Sequence, residues 1–209
     1  MKKIYLLSAL AAMAVLASCG NKNKEVKDGL VNDSAATVEL ESAVAGPTSY
    51  YLTRDSIGPV RVGEKISNLP VAVANLYDHM IVTETPDAMA YTFLLADDPQ
   101  FTIYDFMEGN VDVIALEGNA RGVETPQGEL RVGDDFSKVL ALDGVRSEWE
   151  GFDDAGIWYW IWNGLYFAVD ETGISEDFAN ALVNGRHAPR AGYFDSSVKI
   201  GYIATGLPF

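Results

Sequence analysis

Between Asp55 and the C-terminus the hydrophobic pattern changes period in the same order twice. "GPVRVGEKIS" (58–67) and "GELRVGDDFS" (128–137) share a Gly-x-x-Arg-Val-Gly frame at an offset of 70 residues. In each copy two apolar residues flank an arginine, Val60-Arg61-Val62 and Leu130-Arg131-Val132, as in a short extended lead-in. Gly63 and Gly133 then predict a sharp turn, because glycine reaches backbone angles closed to other residues. Ser67 and Ser137 stand before apolar-periodic runs and read as helix N-caps. The first run, "NLPVAVANLYDHM", tolerates Pro70 in its opening turn, and the second, "KVLALDG", closes on Gly144.

Behind each predicted helix the period falls to two. In copy one, "AMAYTFLLADDPQFTIYDFMEG" predicts two strands about a "DDPQ" turn, and "NVDVIALEGNA" a third. In copy two, "GIWYWIWNGLYFAVDE" predicts a hairpin closed by Asn163-Gly164, followed by a last strand in "SVKIGYIATG". Aligning Val111 with Val198 gives that strand an offset of 87, so copy two holds about 17 extra residues, near 172–197.

Alternation also assigns faces. A two-residue loop at Asn163-Gly164 sets Trp162 opposite Leu165, Trp160 opposite Phe167 and Trp158 opposite Val169, on one side. Ile157, Tyr159, Ile161, Tyr166 and Ala168 take the other. The "DDPQ" turn groups Tyr91, Phe93, Leu95, Tyr104 and Phe106 against Thr92, Leu94, Phe101, Ile103 and Asp105. Thr92 and Asp105 mark the second set as outward. By analogy the tryptophan stripe is core, and Tyr159, Ile161, Tyr166, Leu94 and Ile103 form an exposed binding face.

The first residues change the setting. Lys2 and Lys3 precede "IYLLSALAAMAVL", an apolar run short for a bilayer span, so 1–18 reads as a signal peptide. Leu16-Ala17-Ser18-Cys19 resembles the lipobox of bacterial lipoproteins, which implies cleavage before Cys19 and lipidation of its thiol. Cys19 is the single cysteine, so no disulfide forms within one chain. Residues 19–49, polar and rich in small side chains, read as the lipidated residue and a flexible tether. Gly20 is not the aspartate that often retains lipoproteins at the inner membrane, and by that resemblance the outer membrane is the expected address.

The 209-residue chain is 48% hydrophobic, a globular balance, with a formal net charge of -15. Loss of Lys2 and Lys3 with the signal makes it more acidic still. Such a charge repels phosphate backbones and anionic headgroups, which excludes nucleic acid as the expected partner.

The resulting expectation is an α+β fold of two tandem repeats, 50–122 and 123–209, each a short helical segment packed on antiparallel strands with an open sheet face. The Gly-x-x-hydrophobic-Ser entry into a helix, followed by aromatic strands, resembles the small lipoprotein of the outer-membrane β-barrel assembly machinery. In tandem form it also resembles the secreted β-lactamase inhibitor proteins. The resemblance covers Asp55 to the C-terminus and implies helices over one sheet face and a partner on the other. The chain lacks the inhibitors' cysteine pairs, and none of their contact residues carries over.

Catalytic chemistry finds no foothold. There is no Gly-x-Ser-x-Gly elbow, no His-Glu-x-x-His helix and no phosphate-cradling glycine loop. His79 reads as a helix-end residue and His187 as part of a basic loop with Arg186 and Arg190. The doublets Asp97-Asp98, Asp134-Asp135 and Asp153-Asp154 lack the alternating spacing of a Ca²⁺ loop. The expected function is a non-catalytic envelope lipoprotein, without cofactor or metal, that binds a protein partner through its sheet. The alternative is a glycan or small-ligand module using surface aromatics and the copy-two insertion.

Overall fold

The alternating segments assemble into one antiparallel sheet. The computed structural model describes residues 36–39, 50–69, 73, 76–118, 120–152, 155–172, 174–183 and 187–207, all within the unit Asp33–Phe209. In chain order the strands begin with β1 (Ala36–Glu39), β2 (Ser56–Ile57), β3 (Val60–Arg61) and β4 (His79–Glu84). β5 (Met89–Leu95), β6 (Asp98–Asp105) and β7 (Val113–Leu116) complete a first meander. β8 (Val123–Thr125), β9 (Gly128–Leu130) and helix α1 (Ser137–Leu140) lead into β10 (Arg146–Phe152), β11 (Ala155–Trp162) and β12 (Leu165–Val169). Helix α2 (Glu176–Leu182) and a final strand, β13 (Ile200–Ala204), close the chain.

The main sheet has the order β1-β4-β5-β6-β7-β13-β12-β11-β10, so two four-stranded meanders meet at their last strands with the order reversed, while β2–β3 and β8–β9 form separate small hairpins. The seam is narrow. Ala204 pairs with Ala115, the Thr205 N–H donates to the Ile114 carbonyl at 3.0 Å, and the Ile114 N–H donates to Thr205 Oγ1 at 2.9 Å.

The two copies of the glycine motif are tied in alike. The Gly63 N–H donates to the Val111 carbonyl and the Gly133 N–H to the Ile200 carbonyl, both at 2.7 Å. Both glycines have positive φ, 84° and 87°, which supplies the turn the motif predicts. Lys65 bridges to Asn110 and Asp135 to Lys199, so the copies run 89 residues apart at this point. Val111 therefore corresponds to Ile200, not Val198, and the insertion is two residues longer than the alignment by sequence implies.

The α+β expectation is overturned, because the described chain is mostly β. The helices with described bounds have four and seven residues, and the segment at Ser67 is a 3-10 turn, Ile66–Asn68. Runs this short form too few hydrogen bonds to repay nucleation, so they serve as turns over the sheet instead of a helical layer. Ser137 is the first residue of α1 and not its cap, which is Phe136, and the cap of the turn around Ser67 is Lys65, neither with a side-chain bond. Ser175 does cap, accepting from the Phe178 N–H at 3.2 Å. His79 opens β4 and ends no helix. Ala36–Glu39, within the stretch read as tether, pairs along β4 from Ala36↔Val82 to Glu39↔His79. Cys19, the signal peptide, Pro70 and Asp153-Asp154 lie outside the described residues.

The main core fills one face, here the inner face. Phe93 stacks on Phe101 at 4.8 Å, and Phe136 meets Trp160 edge-on at 4.8 Å. The insertion contributes to this core: Phe178 stacks on Tyr193 at 5.0 Å, and Phe194 packs against Trp160 at 5.2 Å. The residues once candidates for a ligand-binding insertion thus include core anchors.

Candidate binding face

The sheet's opposite face gathers a second, smaller cluster: Val113, Ala115, Tyr159, Ala168, Tyr202 and Ala204, with Tyr104, Phe106, Ile157, Tyr166 and Leu207 against it. Apart from Phe106 and Leu207 these are all strand residues, whereas the described helices, turns and small hairpins send their buried side chains to the inner face. β11 and β12 position the tyrosines through the register Trp160↔Phe167, Ile161↔Tyr166 and Trp162↔Leu165, as the two-residue loop requires. Asn163 and Gly164 both take positive φ, 49° and 78°. Trp160 is buried and Trp158 and Trp162 half-buried on the inner face.

Tyr159 meets Tyr166 edge-on with centroids 6.5 Å apart. The Tyr202 hydroxyl donates to the Gly206 carbonyl at 2.9 Å. Thr102 Oγ1 donates to Glu117 Oε1 at 2.6 Å and lies 2.9 Å from Thr92 Oγ1. Burial pushes the Tyr159 phenol up to about 12, with the negative charges of Glu150 and Glu171 adding to it. Burial raises Tyr104 and Tyr202 as well, and Glu117 acts on both. Burial also raises the Glu117 carboxyl, opposed by the Thr102 hydrogen bond. On the outer flank Arg146, Glu148 and Glu150 lie opposite Ile161, Tyr159 and Ile157 and so share this face. Arg146 is held by Glu148. The result is an aromatic surface beside carboxylates.

The predicted site residues divide. Tyr159, Ile161, Tyr166 and Leu94 belong to this face, but only Tyr166 among them is half-exposed; Tyr159 and Ile161 are 8% and 4% exposed and Leu94 8%. Ile103 is a correction: it is fully buried in the inner core, opposite Tyr91. The turn is Ala96-Asp97, both at positive φ, and Asp98-Pro99-Gln100 belong to β6. That moves Phe101 and Ile103 inward and Tyr104 to the candidate face, since a one-residue slip exchanges the faces. Asp105 does not mark an outward side. It is buried and accepts the Glu108 and Gly109 N–H groups at 2.9 and 2.8 Å, closing a turn.

Tyr104, Tyr202 and Glu117 are the residues the sequence reading missed. Tyr202 reaches this face through an irregularity in the β12–β13 register, between Ala168 and Val169, and no composition cue announces it. Among the described residues no group of three histidine, cysteine or acidic side chains could hold a metal ion. His79 Nε2 stands 3.8 Å from Asp97, and no helix among the described residues is long and apolar enough to cross a membrane. No protein-family model, curated protein or solved structure matches the chain.

Proposed function

We propose that the chain is a non-catalytic lipoprotein of the bacterial cell envelope, anchored through Cys19 at the outer membrane, that binds a protein partner through its tyrosine-bearing sheet face. One observation carries the reading: Tyr104, Tyr159, Tyr166 and Tyr202 cluster on a face over which no described helix or hairpin packs. Tyrosine suits such a role, offering a large apolar ring with a hydrogen-bonding tip at low entropic cost on immobilisation. The charge separates this face from a nucleic-acid or anionic-lipid site. The anchor follows from the lipobox-like sequence ending at the single cysteine.

Capture from detergent-solubilised envelopes tests the partner. Full-length protein should retain a protein that Tyr166→Ala loses, with both variants equally folded by circular dichroism. Equal capture by the two would remove the face from the account. Retention of glycans in place of protein would favour the ligand-module alternative. For the anchor, Cys19→Ala should leave the membrane fraction while melting unchanged, and continued sedimentation with membranes would exclude lipidation there.

A further inference from the structure

The sheet has two outer flanks that correspond in strand order but not in occupancy. β10 holds the place in the second half that β4 holds in the first. β4 has β1 paired along it, whereas β10 is seven residues long, pairs with β11 from Arg146↔Ile161 to Phe152↔Ala155, and ends the sheet among the described residues. The outer side of such a strand presents a row of backbone N–H and C=O groups, a template for another strand. Arg146, Glu148 and Glu150 are exposed on its candidate-face side.

We propose that β10 is a docking edge that takes an extended polypeptide segment as an additional strand, with lysine or arginine at alternate positions over the tyrosine-bearing face. The proposal rests on the partner-binding reading above and specifies how the partner engages. Charge complementarity selects the occupant. Side chains of an added strand stand about 4.5 to 5.5 Å, Cβ to Cβ, from those directly opposite. Glu148 and Glu150, two residues apart on one face, match the alternate positions of the incoming chain. Basic residues opposite Glu148 and Glu150 meet carboxylates, the first of which also holds Arg146, while acidic ones opposite them meet like charge. Tyr159 lies next inward from Glu148, so an aromatic ring stands behind the carboxylates. Glu171 also acts on the Tyr159 hydroxyl, extending the negative ground toward β12. The chain's net charge of -15 steers a basic segment from a distance. The first half supplies the precedent, since on its matching flank β1 is itself an added strand drawn from a segment distant in sequence.

The test uses full-length protein in detergent and three peptides of about eight residues, enough to cover a strand of β10's length. One alternates lysine with threonine, one alternates glutamate with threonine, and one is the lysine peptide N-methylated at alternate backbone nitrogens. The lysine peptide should bind, more weakly as salt rises, and slow amide hydrogen exchange in residues 146–152. The glutamate peptide should not bind, and N-methylation should cost at least about tenfold in affinity, because it removes ladder donors. Glu148→Lys with Glu150→Lys should reverse the preference between the two charged peptides while the protein stays folded by circular dichroism.

Equal binding of the N-methylated peptide, or binding without protection of 146–152, would overturn strand addition. No binding of the lysine peptide to folded protein would overturn the proposal as a whole. Either result leaves the face reading to its own test, the loss of envelope capture on Tyr166→Ala, which lies on β12 and not on the docking edge.

Discussion

On the candidate face the first half of the sheet carries Thr92 and Thr102, hydrogen-bonded to each other, where the second half carries Tyr159, Tyr166 and Tyr202. The inner faces differ far less, with Phe93 and Phe101 in one half answered by Trp160 and Phe167 in the other. Two copies of one plan have thus kept a common core chemistry and separated on the opposite side. Buried threonines satisfy one another and offer a partner little apolar area, whereas tyrosines combine ring area with a polar tip. The flanks separate in the same direction: β1 covers the first, and β10 leaves the second ending in Glu148 and Glu150. Tyr104 and Phe106 carry the aromatic cluster across the seam into the first half, so the contrast concentrates the proposed binding surface in the second half without confining it there.

The largest expected effect tests the shared core. Trp160→Ala and Phe101→Ala should each cost about 3 to 5 kcal/mol, as large aromatic truncations from cores do, and each variant should melt in one transition. Two separated transitions in either would mean that the narrow β7–β13 seam does not couple the halves. A smaller effect tests the matched turns. Gly63→Val and Gly133→Val should each cost about 1 to 3 kcal/mol. An added Cβ would meet no atom within 4 Å at either site, so the loss comes from the positive φ alone. Chemical denaturation should give similar values, and a difference above about 1 kcal/mol would break the equivalence of the two turns.

The smallest effect concerns Glu117, at the border between threonine and tyrosine territory. Its folded-state pKa is raised, so the folded chain holds that proton more tightly than the unfolded chain. The associated stability is complete below the unfolded carboxylate range and is lost as pH rises through the folded value. Glu117→Gln keeps an acceptor for Thr102 and removes the half-buried charge. It should therefore gain stability over the wild type at pH 7 and gain none in acid. A pH-independent difference between the two melting curves would assign Glu117 a purely steric role.

How far the chain could be read from its letters depended on whether local chemistry was unique. Asn163-Gly164 specifies a turn with both residues at positive φ, so the second hairpin and the facing of its tryptophans were legible. Ala96-Asp97 makes a similar turn with neither glycine nor asparagine, while Pro99 two residues later drew the expected turn to the wrong place. That slip put Ile103 on the binding face and Tyr104 in the core, the reverse of their positions. The glycines at 63 and 133 were legible because few residues can do their work. The helices were legible in place but not in weight: α1 starts at Ser137, and Leu69 and Val73 are helical, where the two runs predict them, yet the helices with described bounds have only four and seven residues, too few for a helical layer. β1 had only a brief signal, Ala36, Val38 and Leu40 alternating with Thr37, Glu39 and Glu41 inside a polar stretch, too short to stand out without the ladder that β4 offers Ala36–Glu39.

That short strand also changes the mechanics of attachment. Were the first fixed point Tyr50, thirty residues would separate it from Cys19, with an extended contour of about 100 Å. Sixteen residues separate Ala36 from Cys19, which places it at most about 60 Å along the chain from that point of attachment. For a protein held at Cys19, β1 works as a clasp on the leash. Tension would be delivered first to four residue pairs on β4, before load reaches the meanders. The same body would then have a short working radius at rest, set by the strength of a four-residue ladder.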